Sequence, residues 1–356
     1  MRLNTALTRL VGIRHPVVQT GMGWVSGPRL VAATASAGAL GILGSATMTY
    51  EQLVAAVRET KDRTDQPFGV NLRADADDAA KRVDLLIRER VRVASFALAP
   101  RADMIGRLKD AGVVVIPSVG APRHAVKVAE WGADAVVVQG GEAGGHTGNV
   151  ATTVLLPAVL DAVDIPVIAA GGFFDGRGLA AALVYGAAGV AMGTRFLLTR
   201  ESTVPDAVKQ QYLSAGLDGT VVTRRVDGRP HRVLRTELVA RLERVSRWRS
   251  LAFALGNASR FRRMSRSSWP AMIREGVRMR GGDLDWAQVL MTANTPMLLR
   301  AGLVDGDPTA GVLAAGQVAG VLSDLPECAE LISRMIADAA TILRRVNCLA
   351  LDGDAT

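Results

Sequence analysis

Short apolar stretches that end in small or polar residues recur along the first 200 residues. Eight have the length of a strand and no strict alternation of apolar and polar positions: residues 16–20, 40–45, 68–72, 93–96, 113–119, 134–139, 166–172 and 189–194. Stretches rich in Val, Ile and Ala without alternation are typical of parallel strands that are buried on both faces. The pattern therefore predicts eight parallel strands.

Segments of helical periodicity separate these stretches. Examples are EQLVAAVRETK, PRADMIGRLKDAG, RHAVKVAEWGA and GRGLAAALVYGA, and each runs into Gly or a small turn. Eight consecutive βα units predict a TIM barrel, in which the loops after the strands build the active site. A doubly wound sheet is the alternative, but that fold rarely uses eight consecutive units.

We therefore predict an α/β fold, a TIM (β/α)8 barrel with an added helical, Arg-rich C-terminal region. The barrel is expected over residues 1–222. A basic helical insertion or lid follows over residues 223–310, and helices of residues 311–356 are expected to pack back on the barrel.

Composition limits the class of protein. The chain has 356 residues, of which 49% are hydrophobic, so it can build a sizeable globular core. The apolar run from Leu30 is interrupted by glycines and is shorter than the roughly 20 residues of a membrane span. No secretory signal is evident, and two cysteines, Cys328 and Cys348 in a helical tail, suggest neither a disulfide framework nor a metal site. We expect a cytoplasmic protein without a metal ion or a membrane contact.

Polar residues and glycines follow the predicted strands. They are Gln19 to Met22, Asn71 with Leu72, Ser118, Gln139 to His146, Gly171 with Gly172, and Met192 to Thr194. TIM barrels commonly bind phosphate in the loops after strands 7 and 8. Amides both donate to and accept from the edge of a heterocycle. Since these strand ends carry no carboxylate pair or metal-ligand cluster, they predict a phosphate-bearing aromatic cofactor.

One histidine stands in a glycine-rich loop. Residues 137–148 read VVQGGEAGGHTG, with His146 among five glycines. Glycine allows the backbone to approach a ligand closely, so His146 is a candidate for catalysis. A tight turn with a solvent-facing histidine is the alternative, and this stretch alone does not decide between them.

Five blocks resemble a known family. PVVQTGMGW, FGVNL, GADAVVVQGGEAGGHTG, IPVIAAGGFFDGRGLAAAL and GVAMGTRFLLTRES are similar, in order and spacing, to the nitronate monooxygenase (2-nitropropane dioxygenase) family of FMN-binding TIM barrels. The resemblance spans residues 10–235 and returns weakly at 315–326. It implies His146 as the catalytic acid/base. It also implies FMN bound by residues that line the ring or surround the phosphate, namely Met22, Asn71, Gln139, Gly144, Gly171, Gly172, Gly193 and Thr194.

The family includes nitronate oxidases, NAD(P)H:quinone reductases and flavin enoyl-thioester reductases. The run that begins IPSVGAPRH resembles the last group most, and Ser118 stands where several quinone reductases carry lysine. A flavin and one histidine suit chemistry at the α,β bond of an acyl-CoA. The flavin exchanges a hydride with the β-carbon, and histidine exchanges a proton with the α-carbon near neutral pH. We expect NAD(P) as co-substrate. More narrowly, the chain resembles an actinobacterial steroid-degradation branch that oxidises a hydrindane carboxyl-CoA. Nitronate monooxygenase and quinone reductase activities stay as alternatives.

A basic stretch follows the barrel. Residues 223–280 hold sixteen Arg against four acidic residues, while the whole chain has a net charge of +8. Arg260, Arg262 and Arg263 are candidates for holding the 3′-phospho-ADP of coenzyme A, since guanidinium groups match phosphate bidentately. A solvated charged face and a module that binds nucleic acid or an acidic protein are the alternatives. No nucleic-acid motif supports the last, so we expect a small-molecule substrate, in a chain compatible with a homo-oligomer.

Overall fold

The computed structural model of the chain describes residues 3–97, 100–244, 286–307 and 309–351, with the backbone alone for residues 286–294 and 350–351. These residues fall within two compact units. The barrel unit lies within Met1–Ala143, Gly148–Thr203 and Leu322–Thr356. The smaller unit lies within Gly144–Thr147 and Val204–Val321. The predicted ligands Arg260, Arg262 and Arg263 lie outside the described residues.

Eight parallel strands close the barrel. In chain order the strands of the described residues are β1 (Val17–Gln19), β2 (Leu40–Gly44), β3 (Phe68–Leu72), β4 (Val93–Phe96), β5 (Val114–Val119), β6 (Val136–Gln139), β7 (Gly145–His146), β8 (Val167–Ala170), β9 (Gly189–Met192), β10 (Thr220–Thr223) and β11 (His231–Leu234). The barrel order is β1-β2-β3-β4-β5-β6-β8-β9, and β9 pairs back on β1. All eight predicted strands are present, so the TIM-barrel prediction is confirmed.

Helices separate the barrel strands as the periodicity predicted. The helices of the described residues are α1 (Ala6–Val11), α2 (Pro28–Ser36), α3 (Tyr50–Arg63), α4 (Ala79–Arg88), α5 (Ala102–Asp110), α6 (Pro122–Glu130), α7 (Thr152–Leu160), α8 (Gly176–Val184), α9 (Thr194–Leu197), α10 (Asp206–Leu213), α11 (Glu237–Arg244), α12 (Trp286–Leu303) and α13 (Cys328–Leu351). Short 3-10 turns cover Ser45–Thr47 and Gln317–Val321. None of these helices combines the length and the apolar character that crossing a bilayer requires.

Local sequence explains where several helices begin. Thr49 and Gln52 form a capping box at the start of α3, and Asp175 accepts a hydrogen bond from the backbone N–H of Gly178 at the start of α8. Proline occupies the first turn of α2 and α6, where its missing N–H costs nothing.

The first helix packs at one end of the barrel. Leu7 and Val11 of α1 share a buried cluster with residues that begin barrel strands, including Leu40, Val93 and Val114. This cluster fills the N-terminal end of the barrel with apolar side chains. We therefore expect a ligand site at the opposite end of the barrel, where the strands terminate.

The C-terminal helix belongs to the barrel unit. Helix α13 packs against α8 and α2, and it carries both cysteines, Cys328 buried and Cys348 exposed. An added Cβ on Gly176 would lie 2.5 Å from the Cβ of Asp338, so the two helices cross at close range. Before α13, the guanidinium of buried Arg195 donates to the carboxylate of Asp324 at 2.6 Å.

The smaller unit contains a sheet that the strand pattern did not predict. Its three antiparallel strands are ordered β10-β11-β7, and α10, α11 and α12 belong to the same unit. A separate apolar cluster supports the sheet, with Val226, Val233, Leu238, Leu298 and Val312 among its members. Strand β7 has only two residues and lies within the glycine-rich loop that follows β6, so no hydrophobic period marks it.

We predict opposite effects for two Gly→Ala substitutions in the barrel unit. Gly41→Ala should lower the free energy of unfolding by about 1 to 3 kcal/mol, because its Cβ would lie 2.4 Å from the carbonyl oxygen of Val31. Gly106→Ala is the matched control, since no atom lies within 4 Å of its Cβ on helix α5. It should raise that free energy by about 1 kcal/mol. Urea denaturation followed by circular dichroism measures both, and equal shifts would contradict the packing.

Candidate active site

Asn71 lies at the end of β3 among close backbone contacts. Its side chain is 8% exposed, and its Nδ2 donates to the Ser95 hydroxyl at 3.2 Å. Its backbone carbonyl accepts from the Ser45 hydroxyl at 2.6 Å. A Cβ on Gly21 would lie 2.4 Å from the Asn71 Cβ, so only glycine lets the loop after β1 pass this close. The amide is therefore held in a fixed position at the C-terminal end of the barrel.

Met22 is placed by hydrogen bonds in the same loop. The Met22 backbone N–H donates to the Ser26 hydroxyl at 2.9 Å, and Gln19 Nε2 donates to that hydroxyl at 2.8 Å. A Cβ on Gly193 would lie 3.3 Å from the Met22 sulfur, so these two predicted site residues are neighbours. Gln19 is fully buried, and its Oε1 has no hydrogen-bond partner among the described residues.

Two glycines after β8 have left-handed backbone angles. Gly171 has a φ of 99° and Gly172 a φ of 82°, a region that side chains other than that of glycine rarely adopt. A Cβ on Gly171 would lie 2.9 Å from the Thr152 hydroxyl. Gln139 pairs with Ala170 at the adjacent strand ends, and buried Thr194 begins α9 after β9. The predicted residues Gln139, Gly171 and Gly172 therefore occupy neighbouring strand ends of the barrel.

The carboxylate of Glu142 fixes the loop after β6. It accepts from the Thr152 backbone N–H at 3.0 Å and from the Thr152 hydroxyl at 2.7 Å. These contacts place it at the first turn of α7, whose N-cap residue Ala151 makes no side-chain hydrogen bond. A carboxylate at a helix N-terminus is electrostatically favourable, so Glu142 replaces the missing cap.

His146 belongs to the smaller unit and contacts two polar residues there. Its Nε2 lies 2.5 Å from Asp227 Oδ2, and its ring centroid lies 4.7 Å from that of His231. Antiparallel pairing of β7 with β11 sets His146 opposite His231. The His146 side chain is 55% exposed, whereas Asp227 and His231 are each 2% exposed. A half-exposed imidazole is thus backed by a buried carboxylate, and we name these three residues the His146 cluster.

The carboxylate of the His146 cluster is ionised at neutral pH. Burial acts to raise the pKa of Asp227, but the hydrogen bond with His146 and the nearby His231 outweigh burial and hold that pKa below the ordinary aspartate value. The other carboxylate oxygen, Oδ1, accepts from the Arg229 backbone N–H at 3.1 Å. Each oxygen of Asp227 therefore has a defined partner.

The predicted site residues are divided between the two units. Seven predicted cofactor residues lie at strand ends of the barrel unit, whereas His146 and Gly144 lie in the smaller unit. A Cβ on Gly144 would lie 2.5 Å from the backbone nitrogen of Gly316, so that position accepts only glycine. The roles predicted for all these residues stay predictions.

Sequence reasoning missed Asp227 and His231. The segment VDGRPHR contains both residues, and its Arg232 donates to the Thr220 hydroxyl at 3.1 Å. The i,i+4 spacing of Asp227 and His231 was the available signal. Their partner His146 is 81 residues away from Asp227 along the chain, so no local pattern connects them.

The closed parallel barrel and its glycine-rich strand ends define a class of enzyme. The nitronate monooxygenase family model matches residues 4–84 and 77–338. The chain therefore belongs to the nitronate monooxygenase family, as the sequence blocks predicted, and its enzyme class is oxidoreductase.

Two curated relatives are similar over nearly the whole chain. One, from Mycobacterium tuberculosis, is 70% identical over 353 residues, which cover 98% of this chain and 99% of the relative. The other, from Rhodococcus jostii, is 66% identical over 348 residues, 98% of each chain. Both are named (3aS,4S,5R,7aS)-5-hydroxy-7a-methyl-1-oxo-octahydro-1H-indene-4-carboxyl-CoA dehydrogenase. The predicted likeness to hydrindane carboxyl-CoA dehydrogenases is confirmed.

A solved structure shares the fold. FabK from Thermotoga maritima superposes with a TM-score of 0.78 at 34% sequence identity, over 98% of this chain and 99% of FabK. The shared fold therefore extends over both units of the chain.

Proposed function

We propose that the chain is an FMN-dependent oxidoreductase that acts on the α,β carbon–carbon bond of an acyl-CoA thioester. The observation that carries this proposal is the 70% identity, over 98% of the chain, to the dehydrogenase from Mycobacterium tuberculosis. The substrate would be the hydroxylated methyl-oxo-hydrindane carboxyl-CoA of that relative's name. The proposal includes a role in steroid degradation and a cytoplasmic location.

The strand ends of the barrel unit fit a flavin mononucleotide. The turn at Gly171 and Gly172 has positive φ at both residues and no Cβ beside its backbone N–H groups, which suits a close approach by a phosphate. Thr194 adds a hydroxyl at the end of the next strand. Asn71 and Gln19 offer buried amides at other strand ends, and Gln19 Oε1 has no partner among the described residues. No GxGxxG turn follows the first strand, so a single phosphate is expected rather than a dinucleotide.

His146 is the proton-transfer group of this proposal. The flavin, when bound, supplies hydride exchange with the β-carbon of the thioester. Forming the α,β double bond requires a proton to leave the α-carbon, and reducing it requires a proton to reach that carbon. A half-exposed imidazole can carry this proton in either direction near neutral pH. NAD(P) is the proposed co-substrate that regenerates the flavin.

The arginine-rich segment completes the proposal. Arg260, Arg262 and Arg263 would hold the 3′-phospho-ADP end of coenzyme A by bidentate contacts. They lie outside the described residues, so the support for this role is their charge and spacing in the sequence.

We predict that Gly172→Ala weakens FMN binding about tenfold, because an L-residue in the left-handed region costs roughly 1 to 2 kcal/mol. Gly120→Ala is the control, since Gly120 follows β5 and its added Cβ would have no atom within 4 Å. Titration of the flavin-free protein with FMN, followed by flavin fluorescence, measures both dissociation constants. Equal FMN dissociation constants for Gly172→Ala and the parent protein would show that this loop does not bind the phosphate.

We predict that His146→Ala keeps FMN bound but slows flavin reduction by the CoA thioester. Positioned acid/base catalysis is worth roughly 10² to 10⁴ in rate, so the loss should fall in that range. Stopped-flow absorbance with normal and α-deuterated thioester measures it under anaerobic conditions. His124→Ala is the control, because His124 is exposed on α6. An unchanged rate with intact FMN content would show that His146 is not the acid/base.

A further inference from the structure

The hydroxyl of Thr152 lies between two loops of the barrel unit. Thr152 is the first residue of α7 and is 4% exposed. An added Cβ on Gly140 would overlap this hydroxyl, and one on Gly171 would lie 2.9 Å from it. Glycine on both sides therefore makes room for the hydroxyl, which connects the loop after β6 with the loop after β8.

Two acceptors face the Thr152 hydroxyl. Its oxygen lies 2.7 Å from Glu142 Oε2 and 3.1 Å from the carbonyl oxygen of Gly171. A carboxylate and a carbonyl oxygen both accept, whereas a hydroxyl has a single proton to donate. Glu142 and Gly171 therefore compete for one proton, and the shorter, charge-assisted contact with Glu142 is the stronger of the two.

The Gly171 carbonyl belongs to the same peptide unit as the Gly172 N–H. A trans peptide is planar, so its carbonyl and its N–H point in opposite directions. A hydrogen bond from Thr152 to the carbonyl thus turns the Gly172 N–H away from Thr152. Glycines flank this peptide unit on both sides and allow it to rotate at low cost. A hydrogen bond to the carbonyl is therefore able to select one orientation.

The Gly172 N–H is available to a ligand. Gly172 is exposed, and its N–H donates no hydrogen bond to another described residue. Its φ of 82° and the absence of a Cβ allow close approach to the backbone. An exposed N–H of this kind suits an anionic oxygen.

We propose that Thr152 is a positioning residue whose hydroxyl holds the Gly171 carbonyl and so presents the Gly172 N–H to the phosphate of FMN. This inference rests on the proposed function, in which FMN binds at this turn. Thr152 does not touch FMN in this scheme, and its effect passes through one peptide unit. The expected consequence is a preference for FMN over riboflavin, which has the same ring system and no phosphate.

Glu142 opposes this preference in two ways. Its carboxylate draws the Thr152 proton away from the Gly171 carbonyl. It also brings negative charge close to the turn, because a Cβ on Gly172 would lie 4.0 Å from Glu142 Cδ. Like charges repel, so this carboxylate disfavours a phosphate there. The residue that caps α7 therefore weakens phosphate binding at the neighbouring loop.

A comparison of FMN with riboflavin isolates recognition of the phosphate. Titration of the flavin-free protein, followed by flavin fluorescence, gives a dissociation constant for each flavin, and their ratio measures the preference for FMN. Thr152→Val removes the hydroxyl and should lower this preference about three- to tenfold. Thr152→Ser keeps the hydroxyl and should retain the preference. Thr153→Val, at the exposed next position of α7, is the matched control and should leave it unchanged.

Glu142→Gln tests the competition for the proton. The Thr152 backbone N–H donates to Glu142 Oε1 at 3.1 Å, so the new amide keeps its oxygen there and turns its Nε2–H toward the Thr152 hydroxyl. The hydroxyl then accepts from the amide and donates to Gly171. Since the negative charge is also removed, we expect the preference for FMN to rise about three- to tenfold. Adding Thr152→Val to Glu142→Gln should reverse most of that gain.

The outcomes separate this inference from the proposed function. Equal affinity of the parent protein for FMN and riboflavin would overturn the proposed phosphate site itself. If the parent prefers FMN but Thr152→Val weakens both flavins equally, or neither, the positioning role alone is overturned. An unchanged or lower preference for FMN in Glu142→Gln would also overturn it, and this variant decides the question if Thr152→Val does not fold. A lower preference in Thr152→Val and a higher one in Glu142→Gln, beside a normal Thr153→Val, support the inference.

Discussion

The pairing of β1 with β9 is the constraint on which the barrel unit depends. Val17, Val18 and Gln19 pair with Val190, Ala191 and Met192, and this ladder turns eight parallel strands into a closed ring. Closure forces the ends of all eight strands to one rim. Loops that are far apart in the sequence thereby present Asn71, Gln139 and the glycine pair at residues 171–172 from a common end of the barrel. Close backbone approaches, such as Gly21 against Asn71, are tolerated because glycine lacks a Cβ.

Sequence predicted this unit well because its elements are encoded locally. Buried parallel strands have a composition of their own, and the sequence pattern predicts every one of the eight. Helical periodicity and the glycine or small turn that ends each segment marked the helices in the same way. The glycines and amides at the strand ends followed from the rule that strand termini of a TIM barrel carry its chemistry.

The sheet of the smaller unit was hard to predict because it depends on pairing between segments that are far apart in the sequence. Strand β7 has two residues and no alternation, and it becomes a strand only by pairing with β11. Asp227 is buried although aspartate is usually exposed, and the groups that offset its burial come from two separate segments of the chain. A scan for local motifs records His146 but has no means of finding its carboxylate partner.

Membership of the family leaves several reactions open, since one fold supports different chemistries. The central claim is that this chain oxidises or reduces an acyl-CoA thioester. Anaerobic mixing of the FMN-loaded protein with the hydrindane carboxyl-CoA, and separately with a nitroalkane, tests it most directly. Rapid bleaching of the oxidised flavin by the thioester, and little by the nitroalkane, is the predicted result. Bleaching by the nitroalkane with none by the thioester would contradict the account.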